Sequence, residues 1–403
     1  MSESKINNSS NYSLMTLILF WSGLVVMSSM YLTIPLISLF STLFNVSSNV
    51  AVWTSSIFAI FFAIGCLFYG PLSDRYGRKK VMVIGLCLLT IVTPIVGLFN
   101  NIYWIITLRA VQGAIAATFS PIALIYITEM FPDNRKVHTT GFLVTGFLMA
   151  GIVGQVISSL INQYFSWNYT FYIMGLVYLI TTFMIITFLP KDNLPRFKRS
   201  VLEAVNKMGS LFKVKSLVLC YLVDIMFLMS LMCMYTALGY YLSGPNIGLN
   251  SQQILYVRAL GIIGILFALT SGVLVNKFDV FRVLIAGLII AAVSLIMLGI
   301  VSNVVVIIIL SVIFVAGIAI SVSPLISIIS QIGGKECGSA LSLHTVILFI
   351  GAGLGPIFAI SLLNTGIESL PYLVMGFILI IGVILSLFIK KSFDESVLKV
   401  KSL

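Results

Sequence analysis

The chain has 403 residues, 60% of them hydrophobic and only 9% charged, with a mean hydropathy of +1.14 and a net charge of +11. Soluble domains carry about 25% charged residues, so the composition excludes a soluble globular domain and leaves a chain that lies mostly in a lipid bilayer. The five cysteines (66, 87, 220, 233 and 337) show no CxxC or other metal-ligand spacing and read as small apolar residues, with no metal site.

In chain order, residues 1–12 are polar and lack the pattern of a cleaved leader. Twelve apolar runs follow, at 13–40, 49–69, 81–99, 103–130, 138–161, 169–189, 214–242, 252–275, 283–301, 304–330, 339–363 and 370–389. Each is close to the roughly 20 residues that cross a hydrocarbon core as a helix. The expected fold is therefore an all-α polytopic membrane protein with twelve transmembrane helices. Its expected domains are a tail (1–12), a six-helix bundle (13–189), a basic linker (190–213), a second six-helix bundle (214–389) and a second tail (390–403). The linker shows some helical pattern at 200–208.

Of the 23 Lys and Arg, all but Arg109 and Arg258 fall in connections or ends that an alternating topology places on one side. Basic loops stay in the cytoplasm. This predicts a plasma-membrane protein with both termini cytoplasmic, and assigns the basic excess to membrane topology and anionic lipid rather than to nucleic acid. Nothing in the pattern demands an oligomer, and a monomer is expected.

The chain repeats itself. Gly70…Asp74-Arg75-Tyr76 returns as Gly272…Asn276-Lys277-Phe278 at a shift of 202 residues, and Ser120-Pro121 returns as Ser323-Pro324 at 203. Gly151 and Gly154 fall near Gly353 and Gly355. One near-constant shift in three places predicts duplicated, pseudo-symmetric halves. In the second copy Asn276 replaces Asp74 and Asp279 replaces Gly77, which predicts a weaker version of whatever the first does.

That first copy, Gly70-Pro71-Leu72-Ser73-Asp74-Arg75-Tyr76-Gly77-Arg78-Lys79-Lys80, packs five charges between two apolar runs. It reads as a tight hairpin at the cytoplasmic surface. Gly70 admits a close neighbour, Gly77 suits a positive-φ turn, and Asp74 can accept from exposed backbone N–H groups or pair with a cation. A generic basic loop would explain Arg78, Lys79 and Lys80 but not the spacing of the glycines, Asp-Arg and the aromatic residue.

The stretch resembles the loop between the second and third helices of the major facilitator superfamily of transporters. Leu108-Arg109-Ala110-Val111-Gln112-Gly113 in the fourth span resembles a second motif of that superfamily. The resemblance covers essentially the whole chain and implies the two-bundle fold. It implies export of a small amphipathic molecule by alternating access in exchange for protons, in the manner of multidrug antiporters, with no cofactor beyond the proton gradient. It also implies a conformational gate of Gly70, Asp74, Arg75, Gly77 and Arg78 with Glu129 and Arg135 at the end of the fourth span. Asp74, Arg75, Glu129 and Arg135 would form its charge cluster, against the plainer reading of separate solvated charges. Gly146…Ala150-Gly151…Gly154-Gln155 in the fifth span holds the place of an exporter motif but lacks its proline, so export and simple close packing both remain open.

Several side chains are candidates for proton coupling or substrate contact. Arg109 and Gln112 share a helix face. A membrane-depth arginine costs roughly 2.5–3.5 kcal/mol on insertion scales, so it turns to a polar interior, either for function or to be satisfied by carbonyls of the first span. Asp224 is the only acid well inside a span, either a protonatable carboxylate or half of a structural pair. Arg258 is an interfacial snorkeller or a ligand. His344 is a helix-packing hydrogen bonder or a proton carrier. The first span holds no acid, only Tyr31 and Thr33 as hydrogen-bonding groups. The expected cavity is neutral to positive and suits zwitterionic or anionic, partly aromatic substrates better than lipophilic cations. Two alternatives stand beside multidrug efflux: a dedicated exporter of an endogenous zwitterionic or anionic metabolite such as a metallophore, and a membrane receptor or scaffold without transport. No nucleophile–base–acid set points to an enzyme, and no P-loop points to ATP.

Overall fold

The computed structural model describes residues 9–192, 208–245 and 247–401. The interior of the expected linker, with its helical pattern at 200–207, and residues 1–8 with Lys5 lie outside the described residues. Eleven stretches are long and apolar enough to cross a membrane, and one of them, Val304–Leu363, contains two helices. The twelve spans are α1 (Ser9–Tyr31), α2 (Ser48–Tyr76), α3 (Arg78–Val96), α4 (Ile102–Met130), α5 (Asp133–Tyr164), α6 (Trp167–Phe188), α7 (Lys215–Ser243), α8 (Gln252–Phe278), α9 (Val280–Leu298), α10 (Val304–Gly333), α11 (Cys337–Leu363) and α12 (Leu370–Lys401). In lipid a helix satisfies its own backbone groups, so apolar runs of this length have no other way to cross.

The bundles repeat each other's packing. In the first, α1 packs on α5, α2 on α4 and α3 on α6; in the second, α7 packs on α11, α8 on α10 and α9 on α12. Glycine seams recur with it. A Cβ on Gly146 or Gly154 of α5 would strike the carbonyl oxygens of Phe20 or Ser28 in α1. A Cβ on Gly351 or Gly355 of α11 would likewise strike those of Ile225 or Met229 in α7. The small residues of α5 thus let two backbones meet.

Three local features differ from the apolar runs. The first run does not continue to residue 40: α1 ends at Tyr31, Pro35 sits in a 3₁₀ turn (Ile34–Leu36), and a short helix (Ile37–Leu43) follows. Its Leu36 and Phe40 pack with Val96, Ile102, Trp167 and Phe171 over the ends of α3, α4 and α6 that lie away from the charged turn. α4 breaks between Ala116 and Ser120, where Pro121 opens the second piece without a donor. α8 passes through a 3₁₀ turn at Phe267–Thr270.

The charged stretch is not a hairpin loop. Residues 70–76 are the last turns of α2, and residues 78–80 are the first turn of α3. Gly77 alone breaks the helix, at φ +100°. Asp279 holds the same place in the second half at φ +84° and caps α9 by accepting from the Phe281 N–H at 3.2 Å. With ψ at +141° and +148°, both positions lie in an extended positive-φ region that is essentially glycine's alone and costs another residue roughly 1–3 kcal/mol, a cost that a short side chain capping the next helix, as Asp279 does, offsets in part. Gly77→Val is therefore expected to lower the melting temperature of the purified protein clearly, and Gly77→Asn much less. Equal melting of both variants and wild type would refute this account of the turn.

Candidate functional site

The turn between α2 and α3 carries a buried guanidinium hub. Arg78 is only 6% exposed. Its Nε and Nη2 donate to the two carboxylate oxygens of Glu129 at 3.1 and 2.8 Å, a bidentate fork across to the end of α4. Nη1 donates to Ser73 Oγ at 2.6 Å and to the Gly70 carbonyl at 3.3 Å, and Nη2 also pairs with Asp74. Asp74 in turn faces the first turn of α11 in the other bundle: a Cβ on Gly338 would lie 3.3 Å from Asp74 Oδ1. A carboxylate is favoured beside a helix N-terminus, so the hub aims one acid at the positive end of a helix in the opposite half. Gly70 lets that happen, because any Cβ there would run into Ser342 of α11.

The hub corrects the expected cluster. Arg78, expected in the gate but not in its charge cluster, joins Asp74 and Glu129, and the expected members Arg75 and Arg135 stand apart. Arg75 is exposed, lies 5.5 Å from the Tyr76 ring centre and makes no ion pair among the described residues. Arg135 stands 5.6 Å from the Tyr12 ring centre, apart from Asp74 and Glu129. Asp192, which carried no signal in the sequence beyond being an acid just past Pro190, supplies the cap that Gly77 lacks. It accepts from the backbone N–H groups of Arg78 and Lys79 at 2.7 and 3.2 Å. Lys79 Nζ then donates to the Ile186 and Leu189 carbonyls at the end of α6, as a cation suits a helix C-terminus. In the second half, Asn276 reaches only the Asn134 carbonyl, at 3.5 Å, and Gly272 packs against the backbone of His138 in α5. Both contact sites between halves lie on the basic face.

Above this closed end lies a cavity of about 240 Å³ between the bundles. Phe62 of α2 and Phe349 of α11, ring centres 4.9 Å apart, pack against each other across the bundles, and Phe349 belongs to its wall. Its wall is mostly apolar, with Met27, Phe147, Leu228, Met232 and Phe349 among its members; its polar members are Tyr31, Ser120, Gln155, Tyr235, Arg258, His344 and Thr345. No carboxylate belongs to the wall among the described residues, so its ionisable character is basic.

Of the candidates within the spans, three line the cavity: Tyr31, Arg258 and His344. Arg258 is not a surface snorkeller. It stands in the wall, about 10 Å below the start of α8 at 1.5 Å per residue. Its Nη2 donates to the Tyr235 carbonyl at 3.0 Å, and its Nε has no acceptor. His344 joins the wall from α11, and its Nδ1 lies 2.8 Å from Asp224 Oδ2 on α7, behind the wall. Asp224 is fully buried, and its Oδ1 has no partner.

Arg109 and Gln112 do not reach the cavity. Both are fully buried inside the first bundle. Arg109 Nε donates to the Thr54 carbonyl of α2 at 2.8 Å, and its Nη1 to Gln112 Oε1 at 2.7 Å, while Gln112 donates on to Thr93 Oγ1 of α3 at 2.8 Å. The guanidinium lies over the Phe58 ring at 4.3 Å. The backbone acceptor is thus on α2, not on the first span as expected. Among the cysteines, 66, 220 and 233 are buried, Cys87 is exposed, and Cys337 stands 3.2 Å from Ser330 beside the hub. No group of three potential metal ligands occurs among the described residues.

Two six-helix bundles that meet at one face, with a cavity between them and a charge hub at the seam, define a membrane transporter. The comparisons agree. Residues 19–336 match the profile of the Major Facilitator Superfamily, and the chain belongs to that family. An uncharacterized transporter of Buchnera aphidicola subsp. Schizaphis graminum is 27% identical over 96% of this chain and 94% of its own length. A multidrug resistance protein, MdtG, of Proteus mirabilis is 30% identical over 42% of each chain. Among solved structures, the human organic anion transporter MFSD10 superimposes with a TM-score of 0.78 at 13% identity, over 93% of this chain and 99% of its own. Members of this family are transporters, not enzymes.

Proposed function

We propose that the chain exports small amphipathic molecules across the plasma membrane in exchange for protons, with both termini and the basic face in the cytoplasm. The bundles rock about the central cavity, and the Asp74–Arg78–Glu129 hub holds the cytoplasmic side shut while the cavity faces outward. The observation that carries the reading is the Asp224–His344 pair. It is a carboxylate and an imidazole enclosed within the membrane-spanning region, one of them in the cavity wall, and intramembrane ionisable groups of this kind mark proton relays. Partial likeness to a multidrug resistance protein supports the outward direction.

The test uses the purified chain in sealed vesicles, right-side-out and inside-out, with an imposed pH gradient and a fluorescent amphiphile. Uptake into inside-out vesicles that are acid within, abolished by a protonophore, is the expected result. Flux only in the opposite sense would make the chain an importer. Absence of any gradient-driven flux would leave a receptor or scaffold.

A further inference from the structure

The cavity wall is asymmetric in charge in a way that the pairing of buried groups does not explain. Asp224 has its partner in His344, and Arg78 has Glu129 and Asp74. Arg258 has no acid among the described residues. One of its five donors reaches the Tyr235 carbonyl at 3.0 Å, the guanidinium carbon sits 6.0 Å from the Tyr235 ring centre, and Nε lies buried without an acceptor. Tyr235 adds a second free donor beside it, for its hydroxyl is also buried without a partner. A Cβ on Gly261, one turn along α8 from Arg258, would collide with that hydroxyl, so the backbone there has been kept clear for it.

Unmade hydrogen bonds from enclosed atoms are costly, and so is a half-buried cation without a counter-charge. Both are removed together when an anion enters. Arg258 and Tyr235 are members of the same cavity wall, most of whose other members are aliphatic or aromatic. We propose that Arg258 and Tyr235 form the anion subsite of the cavity, and that the transported molecules are amphiphiles with one carboxylate head and a compact apolar or aromatic body. The guanidinium presents planar donors that match a carboxylate, and the phenol completes the set. At about 240 Å³ the cavity is smaller than the roughly 300–1,000 Å³ of drug-sized pockets, so the body is one or two rings rather than a long chain. The inference rests on the export reading only for the word transported; the binding chemistry stands apart from it.

The test is therefore one of equilibrium binding, without a gradient, to the purified full-length protein in detergent. The probes are 2-naphthoate, 2-naphthamide and 2-naphthylmethylammonium, which share a body and differ in charge. Saturable binding of naphthoate at least tenfold tighter than the amide, about 1.4 kcal/mol, is expected, with the ammonium weakest. Arg258→Gln is expected to bring naphthoate down to the level of the amide while weakening the amide far less, a loss of selectivity that mere loosening of a helix would not give. Arg258→Lys should keep part of the preference, and Tyr235→Phe should weaken naphthoate three- to tenfold and the amide less. If Arg258→Gln does not fold, the last two variants carry the test. Equal binding of acid and amide, tighter binding of the ammonium, no saturable binding of naphthoate, or a preference that survives in the variants that fold would each overturn the assignment. A protein that binds naphthoate selectively yet moves no protons would refute the export mechanism and leave the subsite standing.

Discussion

Arg78→Ala is expected to abolish gradient-driven flux in reconstituted vesicles, whereas Arg75→Ala and Arg135→Ala keep it within about twofold. The contrast follows from what each guanidinium touches. Arg78 is almost wholly buried and holds Glu129 through a fork, Asp74 through an ion pair, and the Ser73 hydroxyl and Gly70 carbonyl at the end of α2. Removing one partner of a buried ion pair costs about 3–5 kcal/mol. Asp74 and Glu129 each keep about a quarter of their side-chain exposure, which places the effect near the lower end. A bias of about 3 kcal/mol shifts a two-state equilibrium by more than a hundredfold. The state that loses is the one in which Asp74 faces the start of α11, because two adjacent carboxylates without their cation repel each other and turn to solvent. Arg75 and Arg135 lie over aromatic rings, where such contacts contribute about 0.5–1 kcal/mol at exposed sites. Flux is measured beside a gel-filtration check of folding. Retention of more than a tenth of wild-type flux in Arg78→Ala, or equal damage from Arg75→Ala, would remove the hub from the mechanism.

This hub also marks where sequence reading stops. The spacing of Gly70, Asp74 and Gly77 and the basic residues beyond told of a structured turn at a membrane surface. It did not tell which arginine goes inward. Residues one apart on a helix point about 100° away from each other, while residues four apart share a face. Asp74 and Arg75, neighbours on α2, therefore face different ways, and the break at Gly77 folds Arg78, the first residue of α3, back onto Asp74. Charge usually ends an apolar run, so the sequence pattern there suggests a loop. At a membrane surface a helix continues through charge at no loss of backbone hydrogen bonds, and only the positive φ of Gly77 ends α2.

The spans themselves were legible because a bilayer imposes one length and one composition on all of them. The face that each span turns to the cavity was not. A helix of a soluble protein shows its buried face by amphipathic periodicity. Here lipid and protein interior are equally apolar, so α8 carries no stripe that would set Arg258 in the cavity rather than in the interface. The same blindness hid the acceptor of Arg109 on α2 and joined Asp224 to His344 across 120 residues of chain. Single ionisable residues in an apolar run told that a polar partner exists. Only the packing of two helices tells which one.

The pairing of Asp224 with His344 leads to the second large effect. In vesicles held at zero membrane potential under two pH units of gradient, one proton exchanged per substrate supports about 2.7 kcal/mol of accumulation, a hundredfold ratio. Asp224→Asn and His344→Gln are each expected to bring that ratio to about one while substrate-for-substrate exchange without a gradient continues. Asparagine fills the same volume and can still hydrogen-bond to His344 Nδ1, so α7 and α11 keep their packing along the Gly351 and Gly355 seam. What it cannot do is take up and release a proton. The steady-state ratio is the informative quantity, since a variant that merely slows rocking reaches the same ratio later. Asp224 also has a free oxygen, Oδ1, buried and without a partner, which leaves room on the carboxylate for a proton that the imidazole does not already share. A hundredfold ratio surviving in Asp224→Asn would move the coupling elsewhere. Loss of exchange together with accumulation in both variants would make the pair a structural clamp between α7 and α11 and nothing more.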